Sequence, residues 1–127
     1  MLECASDDGK LRWLDKAGDE QTARHQLEFL SGKTQRLISA AVMLRDGKVL
    51  WQKTEIATLV MRPLTAGFIN AYMAQMGERL LGSVGCYALE GLGSQLFEKI
   101  DGDHFVILGL PLIAFLSALR EHDVLLS

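Results

Sequence analysis

Cysteine is scarce in this 127-residue chain. Cys4 and Cys86 stand far apart and form no CxxC pair. That pattern gives neither a zinc site nor a disulfide framework, and it suits a reducing compartment, so a cytoplasmic location is expected. An excess of basic charge is also missing. The formal net charge is −3, which argues against a nucleic-acid partner read over a broad surface, while leaving room for a local cationic pocket that takes phosphate. Long apolar runs are absent as well. The most apolar stretch, "HFVILGLPLIAFLSAL", is broken by Gly109 and Pro111. It falls short of the roughly 18 residues a membrane span needs, so no membrane partner is expected and the stretch reads as core. The start, "MLECASDDGK", carries acids where a secretory signal would be basic and then apolar, so no such signal is expected. There are no repeats, low-complexity tracts or linkers, and residues 1–127 read as one domain.

Segment 1–18 is polar, with turn signals at "DDG" and "AGD". Asp19 is placed to cap a helix running to about Leu30, with Ala23, Leu27 and Leu30 on one face. Two long extended segments follow, "QRLISAAVMLR" and "KVLWQKTEIATLVM". Asp46-Gly47 joins them, the dipeptide favoured where a type I′ turn needs two positive φ angles. The second strand carries Leu50, Ile56 and Val60 on one parity and Val49, Trp51 and Leu59 on the other. The hairpin is therefore expected to be covered at least partly on both faces. Arg62-Pro63 ends the strand. Thr65 caps a helix over 66–76 with the stripe Phe68, Ile69, Tyr72, Met73 and Met76. "SQLFEKI" predicts a short strand, "DGD" a turn, and "PLIAFLSALREH" a closing helix with Pro111 in its first turn. Two or three strands with three helices is thin for a complete α/β domain. The chain reads as the C-terminal portion of something larger.

Between the second helix and the last strand lies "GSVGCYALEGLG", residues 82–93. A single acid, Glu90, sits among glycines and bulky apolar groups. On the residues alone it could accept backbone N–H bonds in a tight turn, or hydrogen-bond a ligand.

Several segments occur in order: "LDKAGD", "LSGKTQRLISAAVML", "MRPLT", "GSVGCYALEGLG" and "IDGDHFVILGLPL". Together, over about residues 11–120, they resemble the Maf family of nucleoside triphosphate pyrophosphatases. The resemblance implies an α/β (mixed α+β), Maf/ITPase-like fold. Its sheet is curved and mixed, with a long hairpin flanked by helices, and its N-terminal strands and helices are missing from this chain. It implies hydrolysis between the α- and β-phosphates of a nucleoside triphosphate, a divalent metal (Mg or Mn), a small-molecule nucleotide partner and a homodimer. The family's catalytic aspartate belongs to a segment that its pattern places just before Met1, so no catalytic residue is expected in the chain. Asp7 and Asp8 lie in the turn beyond that place and do not replace it. A second reading is therefore a catalytically inactive fragment that binds nucleotide or another protein; a third is a regulator of septum formation and cell division.

The resemblance also implies roles for residues. Glu90 matches the position that selects the base. A carboxylate only accepts, which suits the adjacent N1–H and 2-amino donors of guanine, and it would attract the cationic 7-methylguanine ring. In its glutamate-containing loop the chain is similar to the 7-methyl-GTP pyrophosphatase group. Gly91 is expected to share in substrate binding. Lys16 matches a phosphate-neutralising lysine, although Asp15 and Ala17 replace the family's glycine and proline beside it. Arg62 could hold phosphate through two bonds or form an ion pair across the sheet. Lys33 is expected in solvent. Asp101 and Asp103 invite a magnesium reading, but in the family this segment is mainly a turn. His104 is expected to pack or hydrogen-bond, His25 and His122 have no partner in view, and Cys86 has no neighbour that would make it a nucleophile.

Overall fold

The computed structural model describes residues 1–82, 85 and 91–126. Five strands form one sheet in the order β2-β1-β3-β4-β5: β1 is Leu2–Ala5, β2 Leu11–Leu14, β3 Thr34–Arg45, β4 Lys48–Met61 and β5 Phe97–Asp101. The β1–β2 and β4–β5 pairs are antiparallel. The helices are α1 (Glu20–Leu30), α2 (Ala66–Met76), α3 (His104–Leu108) and α4 (Leu112–Glu121), and two 3₁₀ turns span Gly77–Gly82 and Leu92–Leu96. This is the mixed α/β arrangement of sheet and flanking helices expected from the sequence.

The local chemistry accounts for most boundaries. Asp19 accepts the Thr22 backbone N–H at 2.7 Å and opens α1, supplying one of the four bonds that a helix start cannot make for itself. Thr65 does the same for α2, where its Oγ1 accepts the Phe68 N–H at 3.1 Å. Asp46 and Gly47 take φ angles of 51° and 75°, as a type I′ turn requires.

The first 18 residues differ from expectation. They hold a strand pair, β1 and β2, closed by a turn in which Ser6 and Asp8 hold Lys10. Each strand is only four residues long, which hid the pair. Glu3 is buried in β1 and is stabilised there by an ion pair with Arg36 of β3, a longer-range partner that no local pattern reveals. The "SQLFEKI" segment is also split: Ser94–Leu96 belong to a 3₁₀ turn, and β5 begins only at Phe97. Beyond "DGD", Asp103 accepts the Phe105 N–H at 2.7 Å and starts the extra short helix α3. Pro111 then stands at the N-cap of α4 rather than within it.

The chain forms two compact units. One comprises residues 1–36 and 58–101, the other 37–57 and 102–127. In the first, α1 and α2 pack on each other and on the Gly77–Gly82 turn. Leu27, Leu30, Leu59, Met61, Ile69, Met76, Leu80 and Leu96 are buried. Each such side chain contributes about 1.5–3 kcal/mol as an upper bound. In the second unit α3 packs on α4, Trp51 meets Phe115 with ring centres 5.9 Å apart, and the buried Ser39 hydroxyl donates to the Val106 carbonyl at 2.8 Å. The hairpin is partly covered: Leu50, Trp51 and Val60 are half-buried and Leu59 is buried, while Val42, Leu44, Val49 and Ile56 are exposed.

Candidate functional site

The end of β4 is built to hold an arginine. β5 carries one extra residue there: Val60 faces Lys99, Met61 faces Phe97, and Glu98 is left over in a bulge. Such a bulge bends the strand and re-aims the side chains beside it. Arg62 follows at once, half-buried. Its N–H donates to the Leu96 carbonyl at 3.0 Å, and its own carbonyl accepts the Gly32 N–H at 3.2 Å. The segment continues into α2 through the Leu64 N–H, which donates to Ser31 Oγ at 2.7 Å.

The Arg62 side chain is fixed twice. Its Nε donates to the Gln95 carbonyl at 2.6 Å, and its Cζ stands over the Phe68 ring, 4.2 Å from the ring centre. Phe68 in turn stacks on Tyr72, with centres 6.1 Å apart and planes 15° from parallel. A guanidinium has five N–H donors; the other four make no bond to a described residue. Among the described residues no carboxylate pairs with Arg62 across the sheet. The observed contacts are a carbonyl and a ring.

Gly91 sits at the entrance of the turn that Arg62 holds. It caps the Leu92–Leu96 turn and lends its carbonyl to the Ser94 N–H at 3.3 Å and the Ser94 hydroxyl at 3.0 Å. Arg62 and Gly91 are thus brought to opposite ends of one short turn. Glu90, the intended base reader, and Cys86 lie outside the described residues. Lys16 is exposed between β2 and α1. Gln26 ties that connection down by donating from Nε2 to the Asp15 carbonyl at 2.8 Å. Among the described residues no hydrogen bond or ion pair joins Lys16 to Arg62 or Gly91.

Other candidates take structural positions. Lys33 was expected in solvent, but its side chain is only 21% exposed. Its Nζ donates to the Phe29 carbonyl at 2.6 Å and stands 5.0 Å from the Phe29 ring centre. A lysine just past a helix end satisfies a last-turn carbonyl in this way. Arg12 lies against the same ring at 5.4 Å. The Lys33 ion pair with Asp7, at 3.5 Å, adds little, because the Asp7 carboxylate is almost wholly in water. Asp103 uses its carboxylate as a helix cap, and His104 meets Phe105 edge-on at 6.0 Å. Cys4 is buried with its thiol donating to the Thr34 carbonyl at 3.4 Å. Burial pushes this thiol up, away from the reactive thiolate.

The second unit has an open depression of about 370 Å³ lined by Lys53, Thr54, Glu55, Ile56, Asp103 and Val106. It includes none of Lys16, Arg62 or Gly91. Among the described residues no three His, Cys, Asp or Glu side chains gather to hold a metal ion. No helix among the described residues is long and apolar enough to cross a membrane.

Comparison with known proteins shows the family. The model of the Maf-like protein family matches residues 2–122. The chain belongs to the Maf family. It is 52% identical over 125 residues to a protein of Paramagnetospirillum magneticum named nucleoside triphosphate pyrophosphatase, an alignment covering 98% of this chain and 62% of that one. It is 54% identical over 106 residues to a 7-methyl-GTP pyrophosphatase of Brucella abortus, covering 84% of this chain and 53% of the relative. With a 7-methyl-GTP pyrophosphatase of Rhizobium etli the identity is 54% over 110 residues, covering 87% and 55%. This Maf chain thus spans between about half and three-fifths of the length of these relatives.

Sequence reasoning placed Phe68 only in the α2 stripe and missed its contact with Arg62. A signal was present: the Thr65 cap fixes where α2 begins, so Phe68 must lie in its first turn, next to the strand end that carries Arg62.

Proposed function

We propose that this chain is the nucleotide-holding portion of a nucleoside triphosphate pyrophosphatase that removes modified nucleotides, with 7-methyl-GTP as the preferred substrate. The observation that carries this reading is the family match over residues 2–122 together with relatives more than 50% identical that bear those names. Glu90 accepts the paired donors of the purine edge, Gly91 lines the same loop, and Arg62 and Lys16 offset phosphate charge. Activation of the attacking water belongs to the family's catalytic aspartate, a role that no residue named here takes over. A divalent metal, Mg or Mn, arrives with the triphosphate, as magnesium commonly binds through substrate phosphates. The protein acts in the cytoplasm on a small molecule, not on nucleic acid or membrane. It self-associates as a homodimer; the exposed Val42, Leu44, Val49, Leu108 and Ile113 side chains support that association.

The test offers a protein that joins this chain to the family's aspartate-bearing segment a panel of triphosphates with magnesium and measures pyrophosphate. Release from 7-methyl-GTP in preference to GTP and UTP is the expected result. Equal turnover of all bases would remove base selection by Glu90. The coverage of only 53–62% of the relatives' length favours one further reading, a module that binds nucleotide without cleaving it. Binding without pyrophosphate release would support that alternative.

A further inference from the structure

We propose that Phe68 is a positioning residue for Arg62: its ring and the Gln95 carbonyl together fix the guanidinium so that the donors left over form a ready-made anion grip. The inference rests on the reading of Arg62 as a phosphate contact and adds how that contact is prepared.

An arginine side chain in water is spread over many rotamers, and holding it still costs roughly 2 kcal/mol of conformational entropy. Here that cost is met before any ligand arrives. The backbone on either side of the side chain is bonded, through Leu96 and Gly32. Nε is committed to Gln95 at 2.6 Å, and the cation rests 4.2 Å from the Phe68 ring centre. Phe68 cannot easily turn away. It stacks on Tyr72, which is 4% exposed, and its helix is anchored by the Thr65 cap. With Nε occupied, the free donors are those of the two Nη groups. That pair matches two oxygens of one phosphate group. No described acid neutralises the cation, in contrast to Arg36, which is paired with Glu3, and Lys33, which is paired with Asp7. A guanidinium held in place and without a counter-ion among the described residues is suited to a mobile anion. A lysine at this position could form neither the planar stack nor the paired grip.

The experiment uses the full chain and three variants, Phe68→Leu, Phe68→Tyr and Arg62→Ala. Binding of inorganic tripolyphosphate, 7-methyl-GTP and 7-methylguanosine is measured by titration calorimetry. Phe68→Leu should weaken tripolyphosphate and 7-methyl-GTP by about three- to thirtyfold, the factor a cation–π contact supports. It should leave 7-methylguanosine unchanged, and Phe68→Tyr, which keeps the ring, should restore the wild-type values. If Arg62→Ala loses phosphate affinity while Phe68→Leu does not, the positioning role is overturned. A second measurement needs no ligand. The Arg62 Nε–H resonance should exchange slowly and lie upfield, shifted by the Phe68 ring current. The upfield shift should vanish in Phe68→Leu and persist in Phe68→Tyr. If wild-type chain shows neither slow exchange nor the shift, the inference fails whatever the nucleotide data say. If it shows both but binds no phosphate compound, the positioning stands and the phosphate-contact reading of Arg62 falls.

Discussion

Gly102 lies so close to Ala57 that no other residue fits in its place. A Cβ added to Gly102 would stand 2.7 Å from the Ala57 Cβ and 2.8 Å from its Cα, and Gly102 holds φ at 143°. Ala57 is fully buried, so it has nowhere to move. Gly102→Ala therefore combines overpacking with a backbone conformation closed to L side chains. It should cost about 2–3 kcal/mol or more. Urea unfolding checks this as a shift of midpoint with an unchanged slope.

Gln35 supplies the opposite case. It is fully buried in β3, and neither its side-chain nitrogen nor its oxygen has a hydrogen-bond partner among the described residues. An unpaired buried amide costs about 1–3 kcal/mol. Gln35→Met keeps the shape and removes the polar atoms, so stability should rise by about 1 kcal/mol or more. A loss of that size would show instead that a buried water satisfies the amide.

Acid should loosen the first unit through two aspartates. The Thr22 backbone N–H, and then the Thr22 side chain, hold the Asp19 carboxyl below its ordinary value of 3.8. The Ser6 hydroxyl, and then the Lys10 backbone N–H, do the same for Asp8. Both folded values are depressed. Their contribution to stability is therefore complete above the ordinary value and is lost as pH falls below it through the folded values. The double variant Asp8→Asn with Asp19→Asn should be less stable than the wild type near pH 7 and converge with it as pH falls below 3.8. Thermal melts between pH 2 and 7 test this; parallel curves would contradict it.

The α2 cap ties stability to the site. Thr65→Ala removes the oxygen that accepts the Phe68 N–H and should cost about 1 kcal/mol. Thr65→Ser should restore it. The Arg62 Nε–H signal should sharpen and slow its exchange again with the restored cap.

Legibility followed the range of the interaction. Asp19, Asp46-Gly47 and Thr65 act on their own neighbours, and the sequence displays each of them at the correct boundary. β1 and β2 were not legible, because each is only four residues long, Leu2–Ala5 and Leu11–Leu14, too short for alternation to stand out beside the turn signals around them. What holds Glu3 inside is Arg36, more than thirty residues away. Lys33 was misplaced for a related reason: its partner is a carbonyl oxygen, which every residue possesses and no sequence marks. Arg62 was recognised as special from its place at a strand end. The ring and the carbonyl that hold it depend on how α2 and the Leu92–Leu96 turn pack. Glu90 was singled out by its surroundings in the chain, and its role rests on family likeness and on experiment.

The most direct measurement is a calorimetric titration of 7-methyl-GTP into the full chain and into Glu90→Gln. Saturable binding by the wild type, weakened about tenfold or more in the variant by loss of the charge-assisted bonds, is the predicted result. Equal binding by both proteins, or none by either at millimolar nucleotide, would contradict the assignment of this chain as the base- and phosphate-holding part of the enzyme.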